Sequence, residues 1–483
     1  METYLIEKLS RLTGLTLSGS TRIESDLIGK KEIPIELYFG VQTLRAVENF
    51  NISKTTVRDF SYFVRGLAEV KKAAALANKT VGLMKEDVCN AICKACDEII
   101  SGKFHENFIV DLIQGGAGTS TNMCANEVIA NRALEHLGKS KGEYKYCSPN
   151  DHVNLAQSTN DAYPTSIHIA ILYYNKDVTS ALKELVLSFR NKAVEFKDAI
   201  KMGRTQLQDA VPMTIGQEFE AFAKTLEIEI ENLECAVSWF KTINMGATAI
   251  GTGINCHAKY PAICVSELSK ITGFDLELAE NLIEATPDTS AFVTYSAALK
   301  RLAVKISKIC NDLRLLSSGP RAGLAEINLP KMQPGSSIMP GKVNPVIPEV
   351  VNQVCFKVFG NDTTVNFASE AAQLQLNVME PVIVEAIHES MNYLISAMNT
   401  LRTLCVNGIT INKERCENMV LHSIGIVTAL NPYIGYKVST SIAKEALETG
   451  RGIYELVLEK GILEKEKLDV ILKPENMCNF NIK

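Results

Sequence analysis

Between residues 160 and 410, apolar side chains return every three or four positions over unusually long stretches, and few folds accept that pattern. In 217–240 the repeat is Phe219, Phe222, Leu226, Ile230, Leu233 and Val237; in 299–316 it is Leu299, Leu302, Ile306, Ile309, Leu313 and Leu316. Each run places one apolar stripe along a helix, and a stripe must be covered. Several such helices in succession cover one another, so the expected architecture is a bundle of long helices. Helical patterns also run through 61–100 and from about Asn122 to Leu137, whereas 20–60 reads as short polar turns around Gly29, Pro34 and Gly40. The strand signal is weak everywhere, so the expected fold class is mainly α. Residues 411–483 read as a smaller helical region with turns at Asn431-Pro432, Gly450 and Gly452.

At 483 residues with 46% hydrophobic content, the chain can bury a large core without covalent staples. Its net charge of −5 argues against a nucleic-acid partner, which calls for a basic face. Thirteen cysteines, odd in number and irregular in spacing, describe reduced cytoplasmic thiols rather than a disulfide framework. No apolar run reaches the roughly 18 residues of a membrane span. The N-terminal Leu5, Ile6, Leu9, Leu12 and Leu15, with Glu2 and Glu7 among them, read as a short amphipathic extension rather than a targeting peptide.

Four polar loops interrupt the helical pattern. Gly335-Ser336-Ser337-Ile338-Met339-Pro340-Gly341-Lys342-Val343-Asn344-Pro345 must be a loop, and its hydroxyls, ammonium and amide are a carboxylate-binding set. By composition alone it is equally a surface turn. Gln157-Ser158-Thr159-Asn160-Asp161 opens a helix that Ser158 and Thr159 can cap, and a helix N-terminus favours an anion; a plain capped helix explains the same residues. Gly203-Arg204-Thr205-Gln206-Leu207-Gln208-Asp209 precedes another long helix. Gly115-Gly116-Ala117-Gly118-Thr119 lacks the Gly-Lys-Ser/Thr ending of a phosphate loop. Together the four loops suit a small anionic substrate. Cys89, Cys93 and Cys96 have cluster-like spacing, but they share one apolar helix face and read as core thiols. His388-Glu389 has no second His to complete a zinc motif, no Gly-x-Ser-x-Gly elbow is present, and the Ala-Ser-Gly tripeptide of self-made electrophilic cofactors is missing.

The 335–345 segment resembles the signature of the aspartase/fumarase superfamily, which also holds argininosuccinate and adenylosuccinate lyases. Gln157 to Asp161 and Gly203 to Asp209 resemble two further shared segments, and the likeness runs from about Arg22 into the C-terminal region. Thr159, Val346-Ile347-Pro348-Glu349-Val350, Arg22 to Leu27, Tyr38 to Ala46 and Glu48-Asn49-Phe50 resemble the aspartase branch; class II fumarases typically carry Ser in place of Thr159 and Thr-Gln after the loop. Gln206 stands where fumarases and some aspartases carry His, so a His–Glu relay through Glu349 lacks its imidazole.

The resemblance implies a three-domain, mainly α fold (1–157, 158–411 and 412–483) with a central long-helix bundle, about 20 helices in a homotetramer. It implies reversible deamination of L-aspartate to fumarate and ammonium through an aci-carboxylate, with active sites shared between subunits; the alternative is class II fumarase. Ser336 is then the base. Thr119, Ser158, Thr159 and Ser337 hold the β-carboxylate, Lys342 and Asn344 the α-carboxylate, and Asn160, Thr205 and Gln206 surround the amino group, with Glu349 behind. No cofactor is required, and activation by a divalent cation such as Mg²⁺ is known among such enzymes without a visible site here. A crystallin-like structural role is the non-enzymatic alternative, disfavoured by the complete catalytic set.

Overall fold

A computed structural model describes residues 3–477, most of them helical. The chain forms two compact units, each built from separated segments. Of the described residues, the first holds 3–178, 232–300 and 358–392; the second holds 179–231, 301–357 and 393–477.

The first unit opens with α1 (Thr3–Thr13), then a hairpin of β1 (Thr21–Asp26) and β2 (Gly29–Pro34), then α2 (Val41–Asn49). The hairpin replaces the polar turns expected there. Its strands are short and mostly polar, so neither shows a buried alternation in sequence. The helical stretch 61–100 is two helices, α3 (Ser61–Thr80) and α4 (Glu86–Ile100), broken where Gly82 takes a φ of 81°. α5 (Thr119–His136) starts three residues earlier than its periodicity indicates. α2 and α5 are tied by one carboxylate. Glu127 accepts from the backbone N–H groups of Gly40, Gln42 and Thr43 and from the Thr43 hydroxyl, at 2.6–3.1 Å. Those backbone donors lie at the start of α2, where no intrahelical acceptor exists.

The expected long helices are present: α6 (Thr159–Glu195), α7 (Ile215–Val237), α10 (Ser290–Leu316), α11 (Val346–Glu370) and α12 (Glu380–Leu404). Shorter α8 (Tyr260–Thr272) and α9 (Leu282–Ala285) precede α10. Phe219, Phe222, Leu226, Leu233 and Val237 of α7 are buried, as are Leu299, Leu302, Ile306, Ile309, Leu313 and Leu316 of α10.

The second unit contains a further antiparallel hairpin, β3 (Ile200–Thr205) and β4 (Gln208–Thr214), and the C-terminal helices α13 (Lys413–Leu421), α14 (Val427–Ile434), α15 (Tyr436–Thr449), α16 (Ile453–Glu459) and α17 (Lys465–Ile471). Ile200 and Met202 of β3 share a buried cluster with Leu430, Ile442, Leu456 and Leu468. The twelve described cysteines are free thiols, and Cys89 and Cys96 are buried on α4. Among the described residues, no helix is long and apolar enough to cross a membrane.

Candidate active site

In the first unit, the starts of α5 and α6 bring four of the expected residues into two adjacent turns. Gly116, Ala117 and Gly118 all have positive φ, which swings the chain sharply into α5 at Thr119. A side chain at Gly118 would meet the Tyr163 ring of α6 at 2.5 Å, so glycine sets how closely the two helix starts approach. Ser158 precedes α6 as its cap: its Oγ accepts from Asn160 N–H at 3.2 Å, and Asp161 accepts from Ser158 N–H at 2.9 Å. The second oxygen of Asp161 accepts from Gly246 and Thr248, tying the turn to 246–248. Burial pushes Asp161 up to about 6, against the lowering effect of those bonds and of Lys71.

Asn160 is held by its neighbours. Pro164 has no N–H to give the Asn160 carbonyl, which instead accepts from Asn244 at 3.0 Å. The Asn160 amide donates to Ala249 at 2.7 Å. Beside it lies a cavity of about 310 Å³ lined by Ile250, Gln373, Gln375, Leu376 and Val378. A larger cavity of about 790 Å³, around His168, Trp239 and Asp288, contains none of the expected residues.

Thr159 is buried, and its Oγ accepts from Asn122 of α5 at 3.2 Å. Asn122 in turn accepts from Lys71, whose ammonium also reaches Asn154 and Gln157. Sequence reasoning missed Lys71 and Asn154. The available signal was a lysine set in an apolar, alanine-rich helix, together with amides at Asn122 and Asn126 on the facing helix.

In the second unit, Thr205 and Gln206 stand at the tip of the β3–β4 hairpin. The two-residue turn Gln206-Leu207 has φ of 53° and 62°, a geometry that glycine or asparagine normally supplies. Such strain in ordinary residues has to be held by the surrounding structure, and it clusters at functional sites. The 335–345 loop is closed on itself: Gly335 N–H donates to Lys342, and the Asn344 amide donates to the Gly335 carbonyl at 2.8 Å. Inside it, the Ser336 Oγ accepts two backbone N–H bonds, from Ile338 at 3.2 Å and Met339 at 3.0 Å. Two fixed donors favour the oxyanion form of a hydroxyl. Ser337 and Lys342 are exposed on the same loop, and Glu349 lies in the first turn of α11. No hydrogen bond joins the hairpin tip to this loop among the described residues. Nor is there, among them, a group of three or more His, Cys, Asp or Glu side chains able to hold a metal ion.

The sequence matches the family model for lyases over residues 29–360 and that for the fumarase C C-terminus over 426–479. Long helices, polar turns at their starts and a self-closed serine loop go with these matches: the chain belongs to the aspartase/fumarase superfamily of lyases. Its relatives within that family include aspartate ammonia-lyases. That of Helicobacter pylori is 59% identical over 458 residues, 95% of this chain and 98% of its own. That of Escherichia coli is 56% identical over 464 residues, 96% of this chain and 97% of its own. A solved Brucella melitensis structure, described as fumarate lyase:delta crystallin bound to cobalt, superposes with a TM-score of 0.92 at 54% identity, covering 94% of this chain and 99% of that one. A class II fumarase from Schistosoma mansoni superposes with a TM-score of 0.87 at 34% identity, covering 94% and 98%.

Proposed function

We propose that the protein is a carbon–nitrogen lyase that reversibly converts L-aspartate to fumarate and ammonium. Aspartate ammonia-lyases at 56–59% identity over nearly the whole chain support that reading. The structural observation that carries the chemistry is the pair of N–H bonds on the Ser336 oxygen. The hard step is removal of a C3 proton beside a carboxylate. A serine hydroxyl is a weak base unless its anion is stabilised; the two bonds do part of this, and the Lys342 ammonium on the same loop adds positive charge.

The Ser336 oxyanion takes the C3 proton, and the electron pair moves into the β-carboxylate as an aci-carboxylate. The pair then forms the C2–C3 double bond while the C2–N bond breaks. Ammonia leaves, and the proton returned from Ser336 completes ammonium. Donors on the β-carboxylate tighten as its charge grows, which accelerates the step. Thr119, Ser158 and Thr159, at the starts of two long helices, suit this task, joined by Ser337. Lys342 and the remaining donor of Asn344 hold the α-carboxylate; Asn160, Thr205 and Gln206 surround the amino group; Glu349 backs the loop. The working form is a cytoplasmic homotetramer with the 1–157, 158–411 and 412–483 division and sites shared between subunits. Divalent-cation activation is tested by assay with and without Mg²⁺.

Class II fumarase is the second reading, favoured by the fumarase C match at 426–479. Gln206 weighs against it, because an amide cannot relay a proton as an imidazole does. Supplying L-aspartate and L-malate separately and following fumarate absorbance decides between them. Turnover of malate alone rejects the deaminase reading.

A further inference from the structure

We propose that Lys71 is a positioning residue that places a positive charge behind the β-carboxylate site, acting through Asn122 and Thr159. The proposal rests on the deaminase reading and deepens it.

Lys71 lies mid-way along α3 with none of its surface exposed. Its ammonium donates to three amide oxygens, those of Asn122 at 2.6 Å, Gln157 at 2.9 Å and Asn154 at 3.1 Å. No carboxylate pairs with it among the described residues. A buried ammonium without a counter-ion is expensive, and neutral oxygens offset only part of that cost. The ionisable groups facing it are Asp161 on α6 and the thiols of Cys96 on α4 and Cys264 on α8; burial pushes both thiols far up and keeps them neutral, and it outweighs the attraction of Asp161, depressing Lys71 to about 7. An added anion nearby relieves that situation, which is what a bound dicarboxylate provides.

The geometry shows where the charge is felt. Asn122 accepts from Lys71 on Oδ1 and donates from Nδ2 to the Thr159 Oγ at 3.2 Å. The ammonium polarises the amide, and the amide polarises the hydroxyl. With its oxygen occupied, the Thr159 hydroxyl hydrogen is left to serve an outside acceptor. Asn154 and Gln157 fix the turn that leads into Ser158, so the same cation orients both hydroxyls. Such an arrangement favours extra negative charge on the β-carboxylate over the resting carboxylate, so it acts on the transition state more than on substrate binding.

The test compares wild type with Lys71→Met in binding succinate, a resting dicarboxylate, and the nitronate form of 3-nitropropionate, whose nitronate oxygens carry the greater charge of the aci-carboxylate. The proposal requires nitronate affinity and kcat for L-aspartate to fall together, by about 10- to 100-fold, while succinate affinity changes less than about 3-fold. Equal losses for both ligands, the result of a merely structural lysine, overturn it. Asn122→Asp keeps the tie to Lys71 but cancels its charge, so it covers the case where Lys71→Met does not fold; it must lose kcat comparably, and full activity overturns the proposal. Loss of selectivity in an active wild-type background concerns Lys71 alone, whereas an inactive wild type rejects the deaminase reading and this proposal with it.

Discussion

Replacing Glu380 with Gln should make the protein more resistant to alkaline pH. Glu380 is the first residue of α12 and is buried; burial alone pushes its carboxyl up to about 8 from 4.5. Close by is Tyr163, whose hydroxyl has no hydrogen-bond partner among the described residues and whose own ionisation Glu380 opposes. The folded-state value lies above the unfolded one. The protonated carboxyl therefore contributes stability that is complete below about pH 4.5 and is lost as pH rises through about 8. The displacement is worth on the order of 5 kcal/mol. The N-terminal dipole of α12 acts in the opposite direction by only about 0.3–1 kcal/mol, too little to reverse the sign. Glutamine is neutral throughout. Urea unfolding at pH 5, 7 and 9, at one protein concentration, should find the two proteins within about 1 kcal/mol at pH 5 and the variant ahead by about 3–5 kcal/mol at pH 9. A difference that is flat, or that shrinks as pH rises, refutes the argument.

Gly118→Ala should cost about 2–4 kcal/mol, because it combines a left-handed backbone with a methyl driven into the Tyr163 ring, and kcat/KM should fall as Thr119 shifts; thermal unfolding and kinetics read both. Glu127→Ala strands three backbone N–H groups at the start of α2 and should cost about 3–5 kcal/mol by urea unfolding; a loss under about 1 kcal/mol contradicts the capping role. Ser336→Ala should lower kcat by about 10²–10⁴-fold while gel filtration shows an unchanged oligomer; retained kcat rejects Ser336 as the base. Ser336→Ala and Thr159→Ala chains, each inactive alone, should regain activity when unfolded and refolded together, since shared sites let some combine intact parts; no recovery contradicts the sharing.

The long helices were legible because a buried stripe leaves a period of three to four that nothing else imitates, as in α7 and α10. Loops such as 335–345 were legible because Gly and Pro forbid helix where hydroxyls, amide and lysine cluster. The hairpins were not. β1 and β2 bury few of their residues and show no alternation, and the β3–β4 turn uses Gln206-Leu207, a pair with no turn signature, so the strain that presents Gln206 is visible only in the backbone. The Lys71 network was equally hidden. Its members come from α3, α5 and the turn before α6, and only folding turns a lysine among alanines into a buried cation one amide away from Thr159.

The most direct test of the whole account is to incubate the purified protein with L-aspartate and, separately, with L-malate, following the ultraviolet absorbance of fumarate and the release of ammonium. Fumarate and ammonium should appear in equal amounts from aspartate, with malate turned over far more slowly. Fumarate from malate with none from aspartate would contradict it.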